Sequence, residues 1–188
     1  MSEMVELYKL YEVDDNFIQD LRQNVDSHVF SNINPNYNHT RKYLGVVLDI
    51  NGYSYYAPLS SPKESDYIII RGHKVIRNSI LPIIRMVETD SNGERHLLGT
   101  IKLSNMIPIP KDKIVLYDLG NEQDQEYKNL VLKEKRFINR NEELILSYAE
   151  ALYKEKTDGT SGKGYLTSTF DFCAFETYVK AQYTSPEI

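Results

Sequence analysis

The sequence predicts an α+β fold, an antiparallel sheet with helices added late in the chain. Three observations point there. Apolar residues alternate with polar ones in short runs through the first two thirds of the chain, the period-two pattern of half-buried strands. Turn residues separate those runs, above all Asn51-Gly52 and Asp90-Ser91-Asn92-Gly93, and such pairs suit tight antiparallel connections. From Gln123 the apolar spacing changes to three and four, the stripe of an amphipathic helix. At 188 residues the chain fits one domain spanning 1–188, long enough to bury a sizeable core.

Each element follows from its own residues. Residues 5–13 set Val5, Leu7, Tyr11 and Val13 on one side and read as a strand. Asp14 or Asp15 then caps a short helix in which Phe17, Ile18, Leu21 and Val25 recur at helical spacing. Residues 26–40, DSHVFSNINPNYNHT, are rich in Asn and Ser and form a loop whose length suggests a working one. Residues 43–50 and 53–58 flank Asn51-Gly52 and make a hairpin. A tight polar loop follows at 59–64, stiffened by Pro62. Residues 67–71, 81–88 and 96–103 read as further strands, the last two joined by the turn at 90–93, and short apolar runs at 107–109 and 114–119 complete the sheet. Tyr127, Leu130, Val131, Phe137, Ile138, Leu144, Ile145, Tyr148 and Leu152 keep one apolar face, which predicts a long helix in the C-terminal third. Residues 154–164, KEKTDGTSGKG, read as a flexible loop, and 167–183 as a final short helix or strand.

Composition excludes several classes of function. No run of 18 apolar residues is present, so nothing in the sequence predicts a membrane span. The first residues lack a basic segment followed by an apolar one, which argues against a secretory leader and for a cytoplasmic protein. A single cysteine, Cys173, rules out an internal disulfide framework and a thiolate metal cluster. His28, His39, His73 and His96 are not spaced as a metal set. Phosphate-loop, dinucleotide-binding, zinc-protease and serine-hydrolase motifs are absent. No metal or cofactor is expected.

Charge is unevenly distributed. The chain carries a net −5, yet residues 41–113 hold eleven Lys or Arg against seven Asp or Glu. An acidic protein can thus present a basic face, and the middle segment is where an anionic ligand would bind. The 15 tyrosines, against six Phe and no Trp, give most aromatic rings a stacking face and a polar tip.

One short stretch in the basic segment carries chemistry. Ser60-Ser61-Pro62-Lys63 follows a strand and puts two hydroxyls and an ammonium on one rigid turn. That set can bind a phosphate with several donors and can stabilise charge or move protons at phosphorus.

The surrounding blocks are more specific. YLGVVLDING at 43–52, YYAPLSSPK at 55–63, LGTIKLSNMIP at 98–108, and YDLGN at 117–121 leading into Tyr127-Lys128 and a long helix resemble the ToxN/AbiQ family. Its members are endoribonuclease toxins of type III toxin–antitoxin systems. The resemblance covers about residues 5–155, and the region beyond resembles nothing placed. It implies a twisted antiparallel sheet like that of MazF/Kid-type toxins, with helices packed around it. It implies cleavage of mRNA without metal, leaving a 2′,3′-cyclic phosphate and a 5′-hydroxyl. It also implies inhibition by a repeat pseudoknot RNA that the toxin cuts from its own precursor, a closed ring of alternating toxin and RNA, and a role in phage defence by abortive infection.

Carried over residue by residue, the family's Ser/Thr-Ser-Pro-Lys motif falls on Ser60, Ser61 and Lys63. Its upstream tyrosine matches Tyr37, and a basic residue matches Arg41, where relatives carry lysine. That departure keeps the charge but changes the donor geometry. In this reading Lys63 and Arg41 stabilise charge and Lys63 also moves a proton. Ser61 holds or relays a proton at the 2′-hydroxyl, with Ser60 in support. Tyr37 orients the phosphate or stacks a base. His39, two residues from Tyr37, is a further acid, base or RNA contact. Arg71, Lys74, Arg77, Lys102, Lys111 and Lys113 could follow an RNA backbone, and Tyr53, Tyr55 and Tyr56 could stack on unpaired bases. The competing reading is a non-catalytic RNA-binding module built on the same sheet, which has no cleavage to lose when Ser61 is removed.

Overall fold

In a computed structural model of the chain, residues 8–32 and 39–184 are described. Strand β1 (Lys9–Val13) and helix α1 (Asp15–Asn24) open the chain. The Asp14 side chain caps α1 by accepting from the Phe17 N–H at 2.8 Å. Of the strand read at 5–13, residues 5–7 lie outside the described residues.

The centre of the sheet is a hairpin of β2 (Tyr43–Ile50) and β3 (Tyr53–Ser60). Asn51 and Gly52 turn it with φ of 55° and 79°, the left-handed pair that matches strand twist in a two-residue loop. The register sets Tyr43 opposite Pro58 and Gly45 opposite Tyr56, with an irregularity between Gly45 and Leu48. Gly45 has a steric reason to be glycine: a Cβ there would lie 2.0 Å from Cδ1 of the Tyr56 ring.

The remaining strands build outward from this hairpin. These are β4 (Tyr67–Ile70), β5 (His73–Ile76), β6 (Ile83–Thr89), β7 (Arg95–Lys102), β8 (Ile107–Pro108) and β9 (Ile114–Leu116). The main sheet runs β6-β7-β3-β2-β1-β9, and every pairing in it is antiparallel. Two strands share one edge of β3: β8 pairs with Tyr55 and Tyr56, and β7 with Leu59 and Ser60. A 3-10 turn at Leu103–Asn105 breaks the line between them.

Strands β4 and β5 form a separate two-stranded sheet. The sequence reading had one strand there, because the turn is Arg71-Gly72 rather than an Asn-Gly pair. Both turn residues nonetheless take positive φ, 50° and 81°.

The long helix expected in the C-terminal third is two helices, α2 (Gln125–Arg140) and α3 (Glu142–Thr157). The apolar stripe continues across both, but Asn141 leaves the helical region at φ −124° and ψ 21°. Its side chain donates to the Phe137 carbonyl at 2.7 Å and its N–H to Ile138 O. Such local bonds are how Asn competes with a continuing helix. Because α3 runs through Thr157, the first four residues of the expected flexible loop at 154–164 are helical. The final segment is a helix, α4 (Phe172–Tyr183), capped by Asp171.

Helix α2 packs on β6 and β7, α3 on β2, and α4 on β8. Tyr43, Tyr55 and Tyr56 are among the largest fully buried side chains of the core between sheet and helices. Among the described residues no helix is long and apolar enough to cross a membrane.

Candidate active site

Strand register creates the site. Since Tyr43 pairs with Pro58, the segment entering β2 must run beside the segment leaving β3. The Leu59 N–H donates to Lys42 O at 2.9 Å, and Arg41 Nη1 donates to Leu59 O at 2.7 Å. The Arg41 guanidinium also lies over the Phe30 ring, 4.6 Å from its centroid. Residues 39–42 and 59–63 thus form two walls of one cleft of about 370 Å³.

The turn that holds Ser61 and Lys63 is pinned from beneath. Asp66 accepts from the Lys63 N–H at 2.9 Å, while its own N–H donates back to Lys63 O. Asp66 is 2% exposed and bonds Arg85 through Nε at 3.1 Å and through Nη2 at 3.1 Å. Arg85 in turn donates to Asn78 O at 2.7 Å. This buried pair fastens the loop to β6, leaving Ser61 and Lys63 exposed at its surface and Ser60 half-buried.

The other walls come from α2 and β7. His39 stacks on Tyr127 with centroids 3.7 Å apart and rings within 7° of parallel. Its Nε2 lies 3.1 Å from Asp124 Oδ2 and its Nδ1 3.8 Å from Glu122 Oε2. Behind this stack Lys42 is buried against Glu12 and the Tyr117 ring. Leu98, Leu130 and Glu134 complete the lining. Glu134 is 8% exposed, and burial pushes its carboxyl up to about 7. Gly99 makes room for it, since a Cβ there would sit 3.0 Å from Glu134 Oε1 and 2.9 Å from Ser60 O.

The structure gathers Ser60, Ser61, Lys63, Arg41 and His39 into this cleft. Tyr37 lies outside the described residues. Lys102 is half-buried below the lysine turn. Burial pushes its ammonium down; Asp66 opposes this, and Lys63 and Arg85 add to it.

Other expected RNA contacts are elsewhere. Tyr55 and Tyr56 are 0% and 2% exposed, so neither offers a stacking face. They point into the core because β3 is covered on both faces, and the Tyr55 hydroxyl donates to Glu176 at 2.7 Å. Tyr53 and Lys111 line a separate hollow of about 170 Å³. Lys113 faces Asp112 and the Tyr183 ring. Arg71, Lys74 and Arg77 belong to the β4–β5 hairpin and its end, where Lys74 pairs with Glu64 at 2.9 Å.

Sequence reasoning missed Lys42, Tyr127 and Glu134. A signal for Glu134 exists: it stands in line with Tyr127, Leu130, Val131 and Ile138 on α2, a charge inside an apolar stripe.

Comparison with known proteins bears on this cleft. Residues 9–180 match the family model described as toxin ToxN, type III toxin–antitoxin system. The match extends past residue 155, where the resemblance read from the sequence stopped, and takes in most of α4. The endoribonuclease ToxN of Pectobacterium atrosepticum is 33% identical over 145 residues, 77% of this chain and 78% of that protein. A solved structure described under a processed non-coding RNA that regulates a bacterial antiviral system superposes with a TM-score of 0.76 and 29% identity, covering 93% of this chain and 99% of that one. Another, described under selective toxin inhibition by a non-coding RNA pseudoknot, gives 0.73 at 26% identity, covering 94% and 98%.

Proposed function

The chain belongs to the ToxN family of type III toxin–antitoxin toxins, and from that premise we propose that it is an endoribonuclease toxin that cuts RNA in the cleft between 39–42 and 59–63. A structured RNA, a pseudoknot repeat, holds it inactive by occupying the same cleft, and toxin and RNA close into a ring. Domain 1–188 acts as one unit. The observation that carries this reading is the register of β2 and β3, which brings Arg41 and His39 beside Ser60, Ser61 and Lys63.

The chemistry needs no group beyond these side chains. The 2′-hydroxyl of the nucleotide on the 5′ side attacks its own phosphorus, the bond to the 5′-oxygen breaks, and a 2′,3′-cyclic phosphate remains. The developing phosphorane gains negative charge, which Lys63 and Arg41 stabilise. Arg41 is held by Leu59 O, so its charge is positioned before substrate arrives. Ser61, supported by Ser60, hydrogen-bonds the 2′-hydroxyl and relays its proton to a non-bridging oxygen of the phosphate. His39 is fixed between Tyr127 and Asp124 and delivers a proton to the leaving 5′-oxygen. Tyr37 orients the phosphate.

The test is incubation of purified protein with a long RNA in EDTA, with Ser61→Ala alongside. Fragments ending in 2′,3′-cyclic phosphate and beginning with 5′-hydroxyl are expected, reduced about a hundredfold or more in the variant. Inertness of both proteins with RNA still bound would instead support a non-catalytic RNA-binding module.

A further inference from the structure

We propose that Glu134 is a specificity-determining residue that reads the exocyclic amine of a nucleobase seated in the cleft between Leu98 and Leu130. The proposal rests on the endoribonuclease reading of the same cleft. The lining falls into two chemistries. Hydroxyls and cations come from 39–42 and 59–63, whereas β7 and α2 contribute Leu98, Leu130 and Tyr127 around a single carboxylate.

Glu134 is more than nine-tenths buried, and among the described residues its carboxylate has no hydrogen-bond or ion-pair partner, while burial alone perturbs it. A carboxylate so largely stripped of solvent is weakly stabilised, and a ligand that donates to it from the cleft supplies what burial removes. Gly99 keeps space beside the carboxylate open, as a Cβ would approach Oε1 to 3.0 Å.

The chemistry of the wall selects the ligand part. A carboxylate repels a phosphate, so this side suits the uncharged base and not the backbone. When ionised it only accepts, and when protonated it offers one donor and one acceptor. Both states fit an amine-bearing edge: N6–H₂ beside N1 in adenine, N4–H₂ beside N3 in cytosine, or N1–H with N2–H₂ in guanine. Uracil presents one N–H between two carbonyl oxygens, which turn lone pairs toward the carboxylate. In its ionised state the site therefore takes an amine-bearing base and disfavours uracil, whereas a protonated Glu134 would accept from uracil N3–H and donate to O4 as an amide does.

The experiment maps cut sites of wild type, Glu134→Gln and Glu134→Met on one long RNA. It then measures kcat/KM on short RNAs that differ only at the position the map identifies. At pH 8, where Glu134 is ionised, wild type is expected to favour amine-bearing bases over uracil there by about tenfold or more. Glu134→Met, which keeps the volume and removes both acceptors, should bring the four bases within about threefold of each other while still cutting. Glu134→Gln should admit uracil, because its amide can donate to a uracil carbonyl. Preference unchanged in both variants overturns the inference. An equal loss of rate on every substrate also overturns it, since that pattern belongs to proton transfer at phosphorus. A wild-type chain that cuts no RNA fails the endoribonuclease reading itself, an outcome distinct from both.

Discussion

Glu134 affects stability as well as the site. Its carboxyl is pushed up to about 7 by burial, against about 4.3 in an unfolded chain. Below both values the group is protonated in either state and contributes nothing. As pH rises from 4.5 the unfolded chain ionises first, so the folded state loses stability, and the loss levels off above pH 7. The difference corresponds to about 4 kcal/mol. Urea unfolding at pH 5 and pH 8 should therefore show Glu134→Gln gaining clearly more stability over wild type at the higher pH; an equal gain at both would contradict the burial account. Ser60, Ser61 and Lys63 were legible because the motif is local. Glu134 was not, since its meaning depends on Gly99 and Ser60, which arrive from β7 and β3. Tyr55 and Tyr56 misled for a related reason: alternation along β3 does not reveal that helices α3 and α4 cover its second face.

At the scale of elements, the lysine turn depends on a pair that sequence gives no reason to connect. Asp66 and Arg85 are nineteen positions apart and 2% and 7% exposed. Removing the acid strands a buried guanidinium, which costs about 3–5 kcal/mol, and frees the backbone of Lys63. Asp66→Ala should lower the unfolding midpoint and reduce RNA cleavage. The double variant Asp66→Ala/Arg85→Met should recover most of the stability without recovering the cleavage, because the contact between Asp66 and the Lys63 N–H stays broken. Calorimetry beside the cleavage assay reads both. The hairpin of β2 and β3 was legible in full, since Asn51-Gly52 states its turn outright. The β4–β5 hairpin was not, because Arg71 takes a left-handed φ that its residue type rarely adopts. The break at Asn141 was hidden by an apolar stripe that runs unbroken through it.

Across the whole molecule the α+β class and the sheet-then-helix order were readable from periodicity alone. The layering that unites the cleft was not, because it depends on β7 and β8 sharing one edge of β3. Net charge is a poor guide here: the chain is −5 overall, yet Arg41, Lys42 and Lys63 line the cleft. RNA held there displaces counterions, so affinity should fall with ionic strength. For the non-cleaving Ser61→Ala chain and a long RNA, a loss on the order of tenfold is expected between 50 and 200 mM salt. Affinity independent of salt over that range would remove the cleft cations from RNA binding.

The tyrosines of α4 close the molecule on itself. Tyr178 and Tyr183 both donate to Asp20 of α1, and Tyr183 packs edge-on against Phe17. These contacts span 158 and 163 positions of the chain, so they carry a large loop-closure entropy and mark a topology of slow, late assembly. During synthesis α1 is made well before α4, the helix that supplies these contacts. Helix α1 therefore gains these hydrogen bonds only once α4 has been made, and a chain cut short before Tyr178 leaves it without them.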